Sequence, residues 1–398
     1  MLSDDELTRL LQRLEADVPT NSAPVERVFE RVDAERRELG ARRGGFSTRS
    51  ILPRPVRWSL QPVALLMLLS LLAGILLGGL FVAGQIGPKP TPAPSSVIRI
   101  SAAARVPLDG RPYALALFDG SLWVANGGAV SRVDPARAEV VASIVPGPGR
   151  ASVGAGGAGL WVGSSDGGTV REIDPSTNAI LRSIAVDQPE FIAVGSADVW
   201  VASLATGRVT RIDAASGDVT ASILVGNAPS QPTLAFGQVW IPHDCIQGTP
   251  DSGAGSVTRI DPATNQITGD VAGDGFQCAQ AVTASRANIW FTDANDGTAS
   301  EVDPTTSAVI RSIEAGERAA GIVELDGFLW VTFNPSVTTS GLARIDLVAG
   351  RVTQTLDLGL GPERSTSGLT KLLAVDRALW VLADFSGRPE LLRIDLPR

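Results

Sequence analysis

The sequence predicts an all-β fold, a seven-bladed β-propeller preceded by short helices and one transmembrane helix, and three observations predict it. A Trp set in an apolar run recurs seven times, at Trp123, Trp161, Trp200, Trp240, Trp290, Trp330 and Trp380. After each comes an apolar-Asp step, at Asp134, Asp174, Asp213, Asp261, Asp303, Asp346 and Asp395. Successive Trp residues stand 38 to 50 positions apart. A period near ~40 residues is what one four-stranded blade occupies, whereas helical repeats of that length need stripes of period 3.6, which are missing here.

Composition agrees with many short strands joined by tight turns: the 398 residues include 42 Gly and 26 Pro, and only 5% are aromatic. The formal charge is −8. Residues 1 to 57 hold eleven Arg against ten acidic residues, which leaves 23 basic against 32 acidic residues beyond, net −9. That is the wrong sign for gripping phosphate backbones, so no nucleic-acid partner is expected. Two Cys and one His are too few for a Cys/His zinc centre.

In chain order, residues 1–57 form a cytoplasmic helical segment. Ser3 and Glu6 have capping-box spacing, and Leu7, Leu10, Leu11 and Leu14 then fall on one helical face. Pro19 ends this helix, and Val25, Val28, Phe29 and Val32 mark a second face after Pro24. The two faces either cover each other or dock a cytoplasmic protein. Short helices, an Arg-rich tail and a single span resemble the cytoplasmic end of membrane-bound anti-sigma factors, although the zinc-binding His/Cys motif many of those carry is absent.

Residues 58–84 read as a transmembrane helix. No charge falls between Arg57 and Lys89, and Val63 to Gly84 supplies 22 residues against the ~20 needed to cross the hydrocarbon core. A cleaved signal peptide would begin within about 30 residues of the N-terminus, but 57 polar residues precede this run. Arg36, Arg37, Arg42, Arg43, Arg49, Arg54 and Arg57 lie before the span, and only Lys89, Arg99 and Arg105 follow closely. The positive-inside rule then keeps the N-terminus cytoplasmic and places the repeats outside, giving a single-pass cell-membrane protein. Residues 85–96 alternate Pro in a way that favours an extended, semi-rigid linker.

Residues 97–398 are the propeller. In its first unit Ala114 to Phe118 reads as a strand of small residues, Asp119-Gly120 as a hairpin turn, and Ser121 to Asn126, Ala129 to Val133 and Val140 to Val145 as the next three strands. Small residues suit the strands crowded round the axis, such as Ile192-Ala193-Val194 and Ala281-Val282-Thr283. The Trp residues belong between blades, where their area is buried. Asp-Pro at Asp134-Pro135, Asp174-Pro175, Asp261-Pro262 and Asp303-Pro304 marks type I turns, so these Asp residues are turn formers.

The last unit ends at Arg398 without a fourth strand, while Val97 to Pro107 precedes the first complete unit and has the pattern of one. Pairing that N-terminal strand with the last blade closes the ring and removes an open edge. Repeats such as GLWVGSSDGGTVREIDPSTNAILRSIAV at Gly159 to Val186 resemble those of the bacterial extracytoplasmic propellers of the YVTN and virginiamycin B lyase-like superfamily. The resemblance covers Val97 to Arg398 and implies the fold, while the superfamily mixes lyases with binding and scaffold proteins.

Ligands of such a ring go to the face where the second-to-third-strand loops open. The expected binding residues are Asn126, Ser164, Ser203, Asp244, Asp293, Asn334 and Asp384, with Arg111, Arg150, Arg318 and Arg364 from the connections between blades; Tyr113, Glu190, Gln231, Gln277 and Gln280 belong to the same connections. The function expected is a ligand- or protein-binding sensor or scaffold module with no cofactor. The alternative comes from the resemblance: streptogramin lyases open a lactone by metal-assisted elimination with a histidine base, and His243 is the one candidate for that base, so a divalent metal is implied only there. Cys245 and Cys278 fall in loops of the same face in an oxidising compartment, and a disulfide between them is expected.

Overall fold

Seven sheets follow one another along the chain in the computed structural model, six of them four-stranded and antiparallel and one with a fifth, parallel strand; the structure describes residues 96–226, 228–243, 256–271, 278–335, 339–360, 368–385 and 387–396. The expected cytoplasmic helices, the transmembrane span and the linker lie outside the described residues, apart from Ser96.

Two strands come first, β1 (Ser96–Arg99) and β2 (Ala104–Pro107). Blade 1 is β3 (Pro112–Phe118), β4 (Ser121–Asn126), β5 (Ala129–Asp134) and β6 (Glu139–Ile144). Blade 2 is β7 (Ala151–Gly156), β8 (Gly159–Ser164), β9 (Thr169–Ile173) and β10 (Ile180–Ala185). Blade 3 is β11 (Phe191–Val194), β12 (Asp198–Ser203), β13 (Arg208–Asp213) and β14 (Val219–Leu224). Blade 4 is β15 (Thr233–Ala235), β16 (Gln238–Pro242), β17 (Val257–Asp261) and β18 (Gln266–Val271). Blade 5 is β19 (Ala279–Ala284), β20 (Ile289–Asp293), β21 (Thr298–Val302) and β22 (Val309–Glu314). Blade 6 is β23 (Ile322–Leu325), β24 (Phe328–Phe333), β25 (Ser340–Asp346) and β26 (Arg351–Leu360). Blade 7 has β27 (Gly368–Val375), β28 (Ala378–Phe385) and β29 (Arg388–Asp395) from the C-terminal end, and β2 completes it.

The ring therefore closes as the repeat count requires: β2 pairs antiparallel with β29, Ala104 opposite Arg393 and Pro107 opposite Glu390, with Arg105 in a 2.8 Å ion pair to Glu390. The N-terminal segment is not one strand, however. Its first part, β1, adds parallel to β26 as a fifth strand of blade 6, held by Arg99 to Asp357 at 3.0 Å, and Ile100 to Ala103 then cross to blade 7. At ten residues β26 is the longest strand, which leaves it an outer edge for β1 to cover.

All seven repeat Trp residues lie on the second strands and are at most 3% exposed. Each packs on the next blade: Trp123 meets Val153, Leu160 and Val162 of blade 2, Trp200 meets Val239, Ile241 and Ile260 of blade 4, and Trp380 meets Leu122, Val124 and Val133 of blade 1 across the closure. Burying about 200 Å² of indole is worth roughly 5 kcal/mol, so this seam dominates the cohesion of the ring.

A second repeated device ties the seam's rim. In blades 1, 3, 4 and 7 an Arg stands opposite the Trp on the third strand: Arg132, Arg211, Arg259 and Arg393. In blades 2 and 5 that place holds Glu172 or Glu301, and the Arg comes from the fourth strand, Arg182 or Arg311, paired to the Glu at 2.5 Å. Each of these six guanidinium groups lies 5.1 to 6.0 Å from its Trp ring. Each also donates to a backbone carbonyl in the third-to-fourth-strand turn of the next blade, for example Arg132 to Pro175 at 2.5 Å and Arg259 to Pro304 at 2.8 Å. Blade 7 has no such turn, because its fourth strand, β2, comes from the N-terminal side of the ring. Arg344 of blade 6, without that target, stacks on Phe328 at 3.6 Å instead.

The receiving turns are built by the repeat Asp residues. The Oδ1 atom of Asp134, Asp174, Asp213, Asp303 and Asp346 accepts from the N–H two residues on, and the backbone N–H four residues on donates to the Asp carbonyl. Such hydrogen bonds favour the ionised carboxylate. For Asp174, the hydroxyl of Ser176 first and its N–H second lower the pKa to about 2. The residue four past the Asp is left-handed: Ala138 (φ 54°), Asn178 (60°), Gly217 (83°), Asn265 (58°), Ser307 (60°) and Gly350 (63°). Asp134, Asp174, Asp261 and Asp303 are turn formers, as their Asp-Pro context predicts, and Asp213 and Asp346 build the same turn without the Pro.

The turn of blade 6 generates a stability prediction. A Cβ at Gly350 would sit 2.2 Å from Arg311 Nη1, so Gly350→Ala adds displacement of that guanidinium to the ~1 kcal/mol left-handed penalty. Ala138→Gly relieves the same penalty where Ala now carries it. In urea unfolding of the full chain, Gly350→Ala should lose more than about 1 kcal/mol and Ala138→Gly should lose nothing. Equal losses would contradict this account of the turn.

Candidate functional site

The two faces of the ring differ in kind. On one, first-to-second and third-to-fourth-strand turns repeat with little variation, built by the Asp residues just described. On the other, the second-to-third-strand connections run from the two residues 127–128 in blade 1 to 243–256 in blade 4. Those of the expected site residues that are described belong to this irregular loop face.

The polar residues closing the second strands are buried, and most of them hold loops. Ser164 Oγ donates to Pro148 O at 2.6 Å, bracing the connection from blade 1 to blade 2. Ser203 Oγ accepts from Thr206 N at 3.3 Å. Asn334 exchanges two bonds with Leu369, accepting its N–H at 2.7 Å and donating to its carbonyl at 2.9 Å, which joins blade 6 to blade 7. Asn126 Oδ1 accepts from Ser131 Oγ, while Asn126 Nδ2 and Asp384 Oδ1 are buried without a hydrogen-bond partner.

Arg111 and Arg150 are brought together with Tyr113. Their guanidinium carbons stand 5.9 and 4.6 Å from the Tyr113 ring. Arg150 also pairs with Glu190 at 3.5 Å, and Glu190 Oε2 accepts the Leu204 N–H, so the cluster ties the loops of blades 1, 2 and 3. Arg111 is exposed and Arg150 half-buried, which leaves cationic edges toward solvent. Arg318, left-handed at φ 54°, lies apart from this cluster in the connection from blade 5 to blade 6.

His243 directly follows the second strand of blade 4 and is 7% exposed. Thr258 Oγ1 donates its one proton to Asp270 Oδ1 at 2.6 Å, so toward His243 Nε2, 2.9 Å away, it can only accept. Nε2 therefore carries a proton, and the three residues form a relay directed outward along blade 4. Asp293 Oδ2 accepts the Cys278 N–H, and its Oδ1 accepts those of Asn295 and Asp296. Among the described residues no group of three or more His, Cys, Asp or Glu side chains is arranged to hold an ion. Asp244, Cys245, Gln277 and Arg364 lie outside the described residues. Cys278 is 1% exposed, and among the described residues no cysteine is a free thiol.

Sequence reasoning missed the inter-blade Arg residues, although an Arg or Glu two positions before each repeat Asp was there to find. It also missed Thr258 and Asp270 behind His243, whose proximity depends on cross-strand register and has no spacing signal.

No protein-family model matches the chain, and no curated protein matches it. Among solved structures it is similar to hydrazine synthase of Kuenenia stuttgartiensis, with a TM-score of 0.56 and 15% identity over 79% of this chain and 99% of that one. At that identity the likeness is one of fold.

Proposed function

We propose that this chain is a membrane-anchored, extracytoplasmic propeller of the YVTN and virginiamycin B lyase-like kind that binds a ligand or partner protein through its irregular loop face. The observation that carries the reading is the asymmetry of the two faces. One is spent on repeated Asp turns that receive the neighbouring Arg residues, while the other combines loops of unequal length with the Arg111, Tyr113 and Arg150 cluster. Variable loops on a rigid scaffold are where recognition resides, and a guanidinium-flanked aromatic ring suits an anionic or aromatic group.

Site-specific photo-crosslinking in cells tests the reading. A crosslinker at Asp166 or Asn295, on the loop face, should give a discrete adduct, and one at Thr177 or Thr264, on the Asp turns, should not. Adducts from the Asp turns alone would overturn it. The enzyme alternative rests on the His243, Thr258 and Asp270 relay. Elimination of a macrocyclic lactone by the wild type, lost in His243→Ala, would establish that alternative; no turnover by either protein is expected.

The anchored, outward-facing topology supports the same function, since a binding face outside the membrane meets extracellular ligands. A reporter active only outside the cytoplasm, fused after Arg398, should be active, and activity solely of a cytoplasmic reporter would refute the topology.

The bridge between Cys245 and Cys278 completes the proposal. It would fasten the 243–256 connection beside His243 to the start of blade 5 and close a loop of about 33 residues, worth roughly 3 to 4 kcal/mol on the chain-entropy account. The denatured, unreduced chain should show no thiol reactive to maleimide and two after reduction. Two reactive thiols before reduction would eliminate the bridge.

A further inference from the structure

A pocket of about 560 Å³, within the range of small-molecule sites, opens in the seam between blades 7 and 1 on the face of the Asp turns. Every residue lining it is among those described. The first-to-second-strand hairpin of blade 7 contributes Val375, Asp376 and Ala378, and the Asp turn of blade 1 contributes Pro135 and Ala136. Trp380 and Arg393, the aromatic and cationic partners of this seam, line it too.

Comparison with the other blades shows why space is left here. Two positions before each Trp stands a residue that supports the inter-blade Arg. Ser121 Oγ accepts from Arg132 Nε at 2.9 Å, Asp198 Oδ2 accepts from Arg211 Nη2 at 2.8 Å, and Phe328 stacks on Arg344. Gln238 and Asn288 act through Thr268 and Glu301, and in blade 2, where the position is Gly159, Glu172 takes the guanidinium. Blade 7 has Ala378 there, whose methyl neither accepts a proton nor fills the space. Arg393 Nε turns instead to Asp395 of its own strand at 2.8 Å. Its bond to the Pro135 carbonyl is 3.4 Å long, against 2.5 to 2.8 Å for the matching bonds from blades 1 to 5.

Two donors in the pocket are left over. Arg393 Nη2 makes no hydrogen bond among the described residues, although the same atom of Arg211 holds a carboxylate in blade 3. The indole N–H of Trp380 makes none either, whereas those of Trp123, Trp161 and Trp240 donate to hairpin carbonyls at 2.9 to 3.3 Å. Trp380 is 1% exposed, and a buried donor without an acceptor is costly. The opposite sign comes from Asp376, whose carboxylate has no ion pair or hydrogen bond among the described residues. The remaining charges of the pocket pair with neighbours, Arg377 with Asp326 and Asp395 with Arg393.

We infer that this pocket binds an α-amino acid as its zwitterion. The carboxylate meets Arg393 Nη2 and the Trp380 N–H, the ammonium meets Asp376, and an apolar side chain lies against Val375, Pro135 and Ala136. The ligand carboxylate takes the place that Asp198 fills in blade 3, where the repeat Asp213 stands at the position of Asp395, so that acid does not exclude an anion here. A simple acid would leave Asp376 unpaired and a simple amine would leave Arg393 unpaired, so only a ligand carrying both charges satisfies the pocket. The site lies on the Asp-turn face and does not depend on the loop-face reading.

The test is calorimetric titration of the full-length chain in nanodiscs with L-leucine and L-phenylalanine in turn, with empty nanodiscs as the blank. One saturable site is expected. For each amino acid, the analogue lacking the ammonium and the analogue lacking the carboxylate should bind at least ~10-fold more weakly, the loss of one charged hydrogen bond. Asp376→Asn removes the charge and suits the left-handed backbone there (φ 54°), and it should weaken binding by at least ~10-fold. Ala378→Asp gives Arg393 the carboxylate that Arg211 has in blade 3, so it should abolish binding in a chain that melts no lower than wild type. Melting curves establish that each variant is folded. Absence of saturable binding of both amino acids to folded wild type would overturn the inference, as would an unchanged affinity in either folded variant or an analogue that binds as tightly as its amino acid.

Discussion

Every blade presents two sheet faces, and only a neighbouring blade can cover each. The indole on the second strand, pressed into the apolar face of the next blade, meets this requirement seven times, and no blade can satisfy it alone. Closure is therefore a condition of stability. Without β2 on β29, the Trp380 seam would lose Val106 and Leu108, and an edge strand would stand open.

The Arg contacts refine what the Trp seams establish. A cation over an aromatic ring contributes about 0.5 to 2 kcal/mol and a charged hydrogen bond about 1.5 to 3, less than the burial of the indole itself. Their value is directional: a guanidinium held by ring and carbonyl at once fixes the azimuth of one blade against the Asp turn of the next. In blades 2 and 5 a Glu takes the third-strand place and the Arg comes from the fourth strand, yet the guanidinium arrives at the same place. What the fold demands is a charge at a point in space, and either strand can deliver it.

With Trp, Arg and Asp committed to the ring, the side chains left over define what the molecule can recognise. The loop-face cluster around Tyr113 is the clearest of them. Many polar residues that close the second strands are spent differently: Ser164, Ser203, Asp293 and Asn334 have their hydrogen bonds taken by loop backbone. They make the loop face rigid enough for a site without themselves facing a ligand.

The fold was legible because it is written in repeats. Periodic Trp and Asp residues, an Asp-Gly turn at Asp119-Gly120 and a surplus strand at the N-terminus each have a local or periodic signature, and the strands of blade 1 lie within two residues of their expected ends. The split of that surplus strand into β1 and β2 was not legible, since it depends on the unused edge of β26 more than 250 residues away. The candidate site was legible only as a list of polar positions on one face. Which of them turn inward to hold loops, that Arg111 and Arg150 flank one ring, and that Thr258 stands behind His243 were decided by tertiary structure. The reason is geometric: repeat spacing fixes which strand a residue occupies, while the direction and neighbours of its side chain follow from register and from the blade packed alongside.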